Sequence, residues 1–135
     1  MDINVHVPML LAFACFEKMA AAGGGRIVLM GSLAARNGGS SPDVQPDYAM
    51  SKGALHTLIR WLSRQTVGKG VLVNGVSRPV ATPLAANVSF DLTSFPMGRL
   101  AEPAEIGWIS AFLCTPAASY ISGSIIDANG GLFVG

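Results

Sequence analysis

Residues 23–30 read Gly23-Gly24-Gly25-Arg26-Ile27-Val28-Leu29-Met30. Three glycines in a row stop a helix, because glycine adopts the left-handed turn that ends one without steric cost. The run that follows is apolar without alternation, as a strand covered on both faces requires. Outward from it, Val5 to Ala22 places Val7, Leu10, Leu11, Ala14 and Met19 at spacings near three and four, which predicts a helix with Pro8 in its first turn. Ser32 to Asp47, rich in Gly, Ser, Pro and Asn, reads as a long loop. Tyr48 to Thr66 returns to helical period through Leu55, Leu58, Ile59 and Leu62, and Gly68 and Gly70 break it before the strand Val71 to Val76. Arg78 to Pro103 holds four prolines and reads as a lid with one short helix; Pro103 to Leu113 reads as a helix and Tyr120 to Asn129 as a last strand. Helices alternating with strands predict an α/β fold with a parallel sheet, its ligand chemistry at the carboxyl ends of the strands.

Composition narrows the function. The chain has 135 residues, enough for one domain over 1–135 that buries roughly two-thirds of its unfolded surface. Half of it is apolar, 13% is charged, and the formal net charge is +1. Its arginines are scattered rather than gathered in a stripe, which argues against a nucleic-acid partner. Cys15 and Cys114 lie far apart in apolar surroundings and read as buried thiols, with neither CxxC spacing nor a His pattern to build a metal site. Asp2 stands where a signal peptide is basic, and no run approaches the ~20 apolar residues that span a bilayer. The expectation is a cytoplasmic protein with neither metal nor membrane partner.

Tyr48 and Lys52 sit four apart, so a helix stacks them on one face one turn from each other. An ammonium beside a phenol favours the phenolate form, which suits Tyr48 as a proton donor. Ser32 follows the strand 26–30 and could hydrogen-bond the same carbonyl oxygen. A YxxxK spacing alone is common by chance, and each residue taken singly is ordinary surface or turn chemistry.

The order of motifs is more specific. Gly25-Arg26-Ile27-Val28 with Gly31-Ser32, then Tyr48-Ala-Met-Ser-Lys52-Gly-Ala54, resembles the active-site stretch of short-chain dehydrogenase/reductases. Asn74-Gly-Val-Ser-Arg-Pro79 with Thr82, Gly98-Arg99-Leu100 with Glu102-Pro103 and Glu105-Ile106, and Tyr120-Ile-Ser-Gly123 with Asp127 and Gly130-Gly131 resemble later motifs of that family, of the classical type similar to 3-oxoacyl-[acyl-carrier-protein] reductase. The resemblance covers nearly the whole chain and implies the C-terminal half of a Rossmann-type doubly wound sheet, about three parallel strands with flanking helices.

It further implies that Tyr48 moves the proton, Lys52 tunes Tyr48 and holds the nicotinamide ribose, Ser32 orients the carbonyl, and Asn4 holds a relay water. Pro79, Val80 and Thr82 would contact the nicotinamide. The implied cofactor is NAD or NADP, with NADPH favoured, and the substrate is a small carbonyl compound or alcohol. The apolar residues of 90–97 (Phe90, Leu92, Phe95, Met97) favour an apolar or mixed one. The helices 5–22 and 48–66 resemble the family's main contact helices, which implies a homo-dimer or tetramer.

Three departures stand out. Val80 replaces the family's glycine after Pro79, the Ser32 to Tyr48 loop is longer than the family's, and no Gly-rich strand-to-helix turn is present to cradle a pyrophosphate. The N-terminal dinucleotide-binding half is thus expected to be missing. Two readings follow: an NAD(P)-dependent oxidoreductase working through Asn4, Ser32, Tyr48 and Lys52, or a catalytically inactive short form acting as an association module.

Overall fold

The computed structural model describes residues 2–39, 44–79 and 91–135. A single π-helical turn, Asp2–His6, leads into α1 (Val7–Ala21), followed by β1 (Gly25–Met30), the short α2 (Ala34–Asn37), α3 (Pro46–Thr66), β2 (Val71–Ser77), α4 (Pro103–Leu113) and β3 (Ile125–Asp127). The three strands are parallel in the spatial order β1-β2-β3. Gly25 pairs with Val71 and Met30 with Val76; Gly75 pairs with Ile125 and Ser77 with Asp127. This is the α/β sheet with flanking helices that the sequence predicts.

Alternation along each strand sorts the two faces. Val73 and Ile125 pack with Ala12 of α1 and Ile59 and Leu62 of α3, joined by Ile27 and Leu29 of β1. Val76 packs on the other side with Ile106 and Leu113 of α4 and Ala118, joined by Val28 and Met30. Both faces of β1 are therefore claimed, which is why residues 27–30 are apolar without a break. Gly75 lets α3 approach β2: a Cβ there would stand 2.6 Å from Ile59 Cδ1.

Several expectations are corrected. The predicted loop after Ser32 contains α2, a single turn closed by Gly38 at φ 73°. The last strand is only Ile125–Asp127, because Gly123 at φ 78° breaks the extended chain before it. Cys15 and Cys114 are exposed, not buried, since α1 and α4 turn those positions away from the sheet. The segment Asp2–Ala21 is one 20-residue helix of mean hydropathy 1.2, long and apolar enough to cross a membrane by length and composition, although no continuous apolar run reaches that length. Its Ala12 is 3% exposed, docked in the core with Ile59 and Leu62.

The Gly98 to Ile106 motif is built as a helix start. Pro103 opens α4, the Glu105 carboxylate accepts the Glu102 N–H at 2.8 Å, and the Arg99 guanidinium meets both Glu105 oxygens at 2.8 Å. The Arg99 hydrogen bonds, then the Glu102 N–H, hold the Glu105 carboxyl down to about 2.

Candidate active site

Of the sequence-predicted residues, Ser32 follows the carboxyl end of β1 and Lys52 reaches that end. Lys52, one and a half turns into α3, reaches across to donate from Nζ to the Met30 carbonyl at 3.0 Å. The same ammonium lies 6.0 Å from the centre of the Tyr48 ring, as the i, i+4 spacing requires. Burial first, and the Arg78 cation second, push the Lys52 ammonium below the ordinary lysine range. Tyr48 remains 41% exposed, its ring open to a ligand.

Two residues past Met30, Ser32 is buried. Its Oγ accepts the Ala34 N–H at 3.2 Å, and its backbone N–H donates to His56 Nε2 at 3.4 Å. Asn4 lies in the π-helical turn before α1, and its Nδ2 donates to Ser51 Oγ at 3.1 Å. Ser51 in turn donates to the Tyr48 carbonyl at 2.8 Å, so Asn4 is tied to the turn of α3 that carries Tyr48 and Lys52. Pro79 lies just beyond β2, half-buried; Val80 and Thr82 lie outside the described residues.

A cavity of about 260 Å³ is lined by Pro79, Met97, Arg99, Asp127 and Asn129 among others, and by none of Ser32, Tyr48 or Lys52. One wall is pinned by an ion pair: Arg36 of α2 meets Asp127 at 3.0 and 3.2 Å and donates to the Ile125 carbonyl at 3.3 Å. The segment after Ser32 is thereby tied to the end of β3.

Sequence reading missed two partners of this arrangement, His56 and the Arg36–Asp127 pair. His56 carried a signal, lying four residues after Lys52 and eight after Tyr48 on one helical stripe. Arg36 and Asp127 are 91 positions apart and carried none. Asn74, read as part of a nicotinamide-side motif, is 1% exposed and has a local task. Its Nδ2 donates to the Ile121 carbonyl at 2.8 Å and its Oδ1 accepts the Ser124 N–H at 3.0 Å, adding to the backbone bonds that the Gly123 N–H gives the Val73 carbonyl and the Gly75 N–H gives the Ser124 carbonyl, both at 2.8 Å.

Residues 1–133 match the family described as Enoyl-(Acyl carrier protein) reductase. Among curated proteins, the chain is 42% identical over 86% of its length to a tropinone reductase homolog of Arabidopsis thaliana, covering 45% of that protein. It is 36% identical over 99% of its length to galactitol 2-dehydrogenase (L-tagatose-forming) of Cereibacter sphaeroides, covering 56% of it. Among solved structures, a putative NAD(P) dependent gluconate 5-dehydrogenase from Beutenbergia cavernae, with bound NADP at low occupancy, superposes with a TM-score of 0.89 at 31% identity, over 96% of this chain and 54% of that one. The chain thus spans about half the length of the curated relatives it matches. The three-stranded parallel sheet, the Tyr48–Lys52 stripe facing the end of β1 and these matches together place the chain in the short-chain dehydrogenase/reductase family.

Proposed function

We propose that this chain provides the proton-transferring side of an NAD(P)-dependent oxidoreductase site that interconverts a carbonyl and an alcohol on a small molecule. The observation that carries the reading is the approach of Lys52 to both the Tyr48 ring and the end of β1, with Ser32 two residues further on.

The donor set suits the ribose end of a dinucleotide. A lysine ammonium has three N–H donors. The Met30 carbonyl takes one, which leaves two for the vicinal hydroxyls of a ribose. The pyrophosphate end finds no match among the described residues, since the sequence has no G-x-G-x-x-G turn. Lys52 and Tyr48 would hold the ribose, and Pro79 with Val80 and Thr82 would flank the nicotinamide. A bound reduced nicotinamide supplies the hydride that reaches the carbonyl carbon.

Tyr48 Oη gives its proton to the carbonyl oxygen in reduction and takes it back in oxidation. The Lys52 ammonium lies 6.0 Å from the centre of the Tyr48 ring. Ser32 Oγ accepts from Ala34, so its own O–H is left to donate to the carbonyl oxygen as negative charge gathers there. Asn4, bonded to Ser51, holds the first turn of α3 in place and offers its amide oxygen to a water that resupplies the proton. NADPH is the cofactor we favour.

The test is calorimetric titration of the 135-residue chain with NADPH and NADH, followed by ketone reduction with and without Tyr48→Phe. Micromolar binding and turnover that drops at least ~100-fold in Tyr48→Phe are expected. Turnover that survives Tyr48→Phe would remove Tyr48 from the chemistry.

A second reading is favoured by the exposed apolar face of α1 and α3, where Leu10 is 64% exposed, Leu11 60% and Trp61 49%. On that reading the face joins copies of the chain and the chain works as an association module. Absence of binding by either cofactor at millimolar concentration, with association intact, would favour it over the reductase.

A further inference from the structure

His56 is 3% exposed, polar, and unused by the chemistry above. Its Nε2 accepts the Ser32 backbone N–H at 3.4 Å. A ring nitrogen that accepts carries no proton, so the bond requires a neutral imidazole with its hydrogen on Nδ1. Gly31 packs so closely that a Cβ on it would overlap the imidazole.

Met30, which ends β1, and the two residues after it are each gripped by a different group. The Met30 carbonyl accepts from Lys52 Nζ at 3.0 Å, the Gly31 N–H donates to the Val76 carbonyl at 2.7 Å, and the Ser32 N–H donates to His56. Two of the three grips come from one stripe of α3, the stripe that also presents Tyr48. A helix that carries the phenol therefore also sets where the serine hydroxyl sits relative to it.

We propose that His56 is the positioning residue for Ser32, holding the Ser32 backbone N–H as a neutral acceptor and so fixing where the Ser32 hydroxyl meets the carbonyl oxygen of the substrate. This rests on the reductase reading for its purpose, though not for its geometry. The groups around the ring keep it in the required form. Burial, then the Arg36 and Arg60 cations, push the imidazole down to about 4, with Lys52 adding to that and Asp127 opposing it. His56 is thus an acceptor throughout the neutral range. A histidine that merely filled the core would not need a particular nitrogen bare.

Nitrogen-15 NMR and amide hydrogen exchange on the 135-residue chain test this, with His56→Gln and His56→Leu as variants. The glutamine carbonyl reaches as far along its side chain as Nε2 and accepts; leucine fills the volume and accepts nothing. The unmodified protein is expected to show Nε2 without a proton and Nδ1 with one at pH 7. His56→Leu is expected to exchange the Ser32 amide roughly ten-fold faster while the Val73 amide keeps its protection, and His56→Gln to restore the slow exchange.

A proton on Nε2 in the unmodified protein overturns the proposal, as does a Ser32 amide that exchanges equally in His56→Leu and the unmodified chain. If His56→Leu does not fold, the nitrogen assignment in the unmodified protein decides. Where ketone reduction is measurable, His56→Leu lowers kcat with KM unchanged and His56→Gln recovers it; an equal fall in both variants counts against the proposal. Failure of cofactor binding would sink the reductase reading and leave the NMR outcomes standing.

Discussion

The imidazole of His56 connects the chemistry of the site to the stability of the chain. In the unfolded chain it takes up a proton near 6.5, whereas in the fold it does so only at about 4. Between those values the unfolded state binds more protons than the native state, so stability falls as pH drops from 6.5 toward 4 and is unaffected by this group above 6.5. At about 1.4 kcal/mol per pKa unit, the loss by pH 5 is about 2 kcal/mol. Urea unfolding at pH 7 and pH 5 should show that drop in the unmodified protein and a clearly smaller one in His56→Gln; equal drops would mean that His56 titrates normally. The residue was accessible to sequence reading only as a stripe position, because its meaning lies in a bond to Ser32, 24 positions earlier. Tyr48 and Lys52 were legible because helix geometry alone makes a pair four apart into neighbours. Val80 and Thr82, read as nicotinamide contacts, lie outside the described residues, so geometry adds nothing to them.

Among the elements, those with a clear period came through the reading with their bounds nearly intact. Helix α4 runs from Pro103 to Leu113 as predicted, since a proline can only open it and its Arg99–Glu105 contact fastens the opening turn. The strand β3 was overestimated because apolar residues from Tyr120 onward look extended, whereas Gly123, at φ 78°, turns the chain and side chains supplement the backbone bonds from Gly123 to Val73 and from Gly75 to Ser124. Ser122 Oγ accepts the Val73 N–H at 3.3 Å, and the Asn74 amide serves both Ile121 and Ser124. No periodicity could show that an asparagine inside β2 would bond residues 121 and 124 through its side chain. Asn74→Ala leaves the Ile121 carbonyl and the Ser124 N–H without that partner in a part-buried seam. We expect a loss of about 1–3 kcal/mol in urea unfolding, with faster amide exchange confined to residues 121–127. Exchange that rises evenly over the sheet would show instead that Asn74 stabilises the fold as a whole.

At the scale of the molecule, the sheet has cover on both faces but the helices do not. Phe13 of α1 meets Trp61 of α3 edge to face, with ring centres 6.0 Å apart, and this contact joins the outer sides of the two helices into one surface. Leu10 and Leu11 are exposed on α1, Met50 on α3 and Val67 just past its end, all at least 49% open. Exposed apolar residues of this kind favour the proposed association of copies. A two-fold pairing would set the same helices of two copies against each other, burying Trp61 near its centre. We expect the chain to sediment as a dimer or tetramer, and Trp61→Glu to weaken that association by roughly ten-fold or more, about 1.4 kcal/mol. The Ser32 amide protection expected from the His56 bond should be the same in Trp61→Glu as in the unmodified chain, because the site is assembled within one copy. A chain that sediments as a monomer at all concentrations would leave the α1–α3 face to a different partner. If instead association and Ser32 protection were lost together, the site would depend on a second copy.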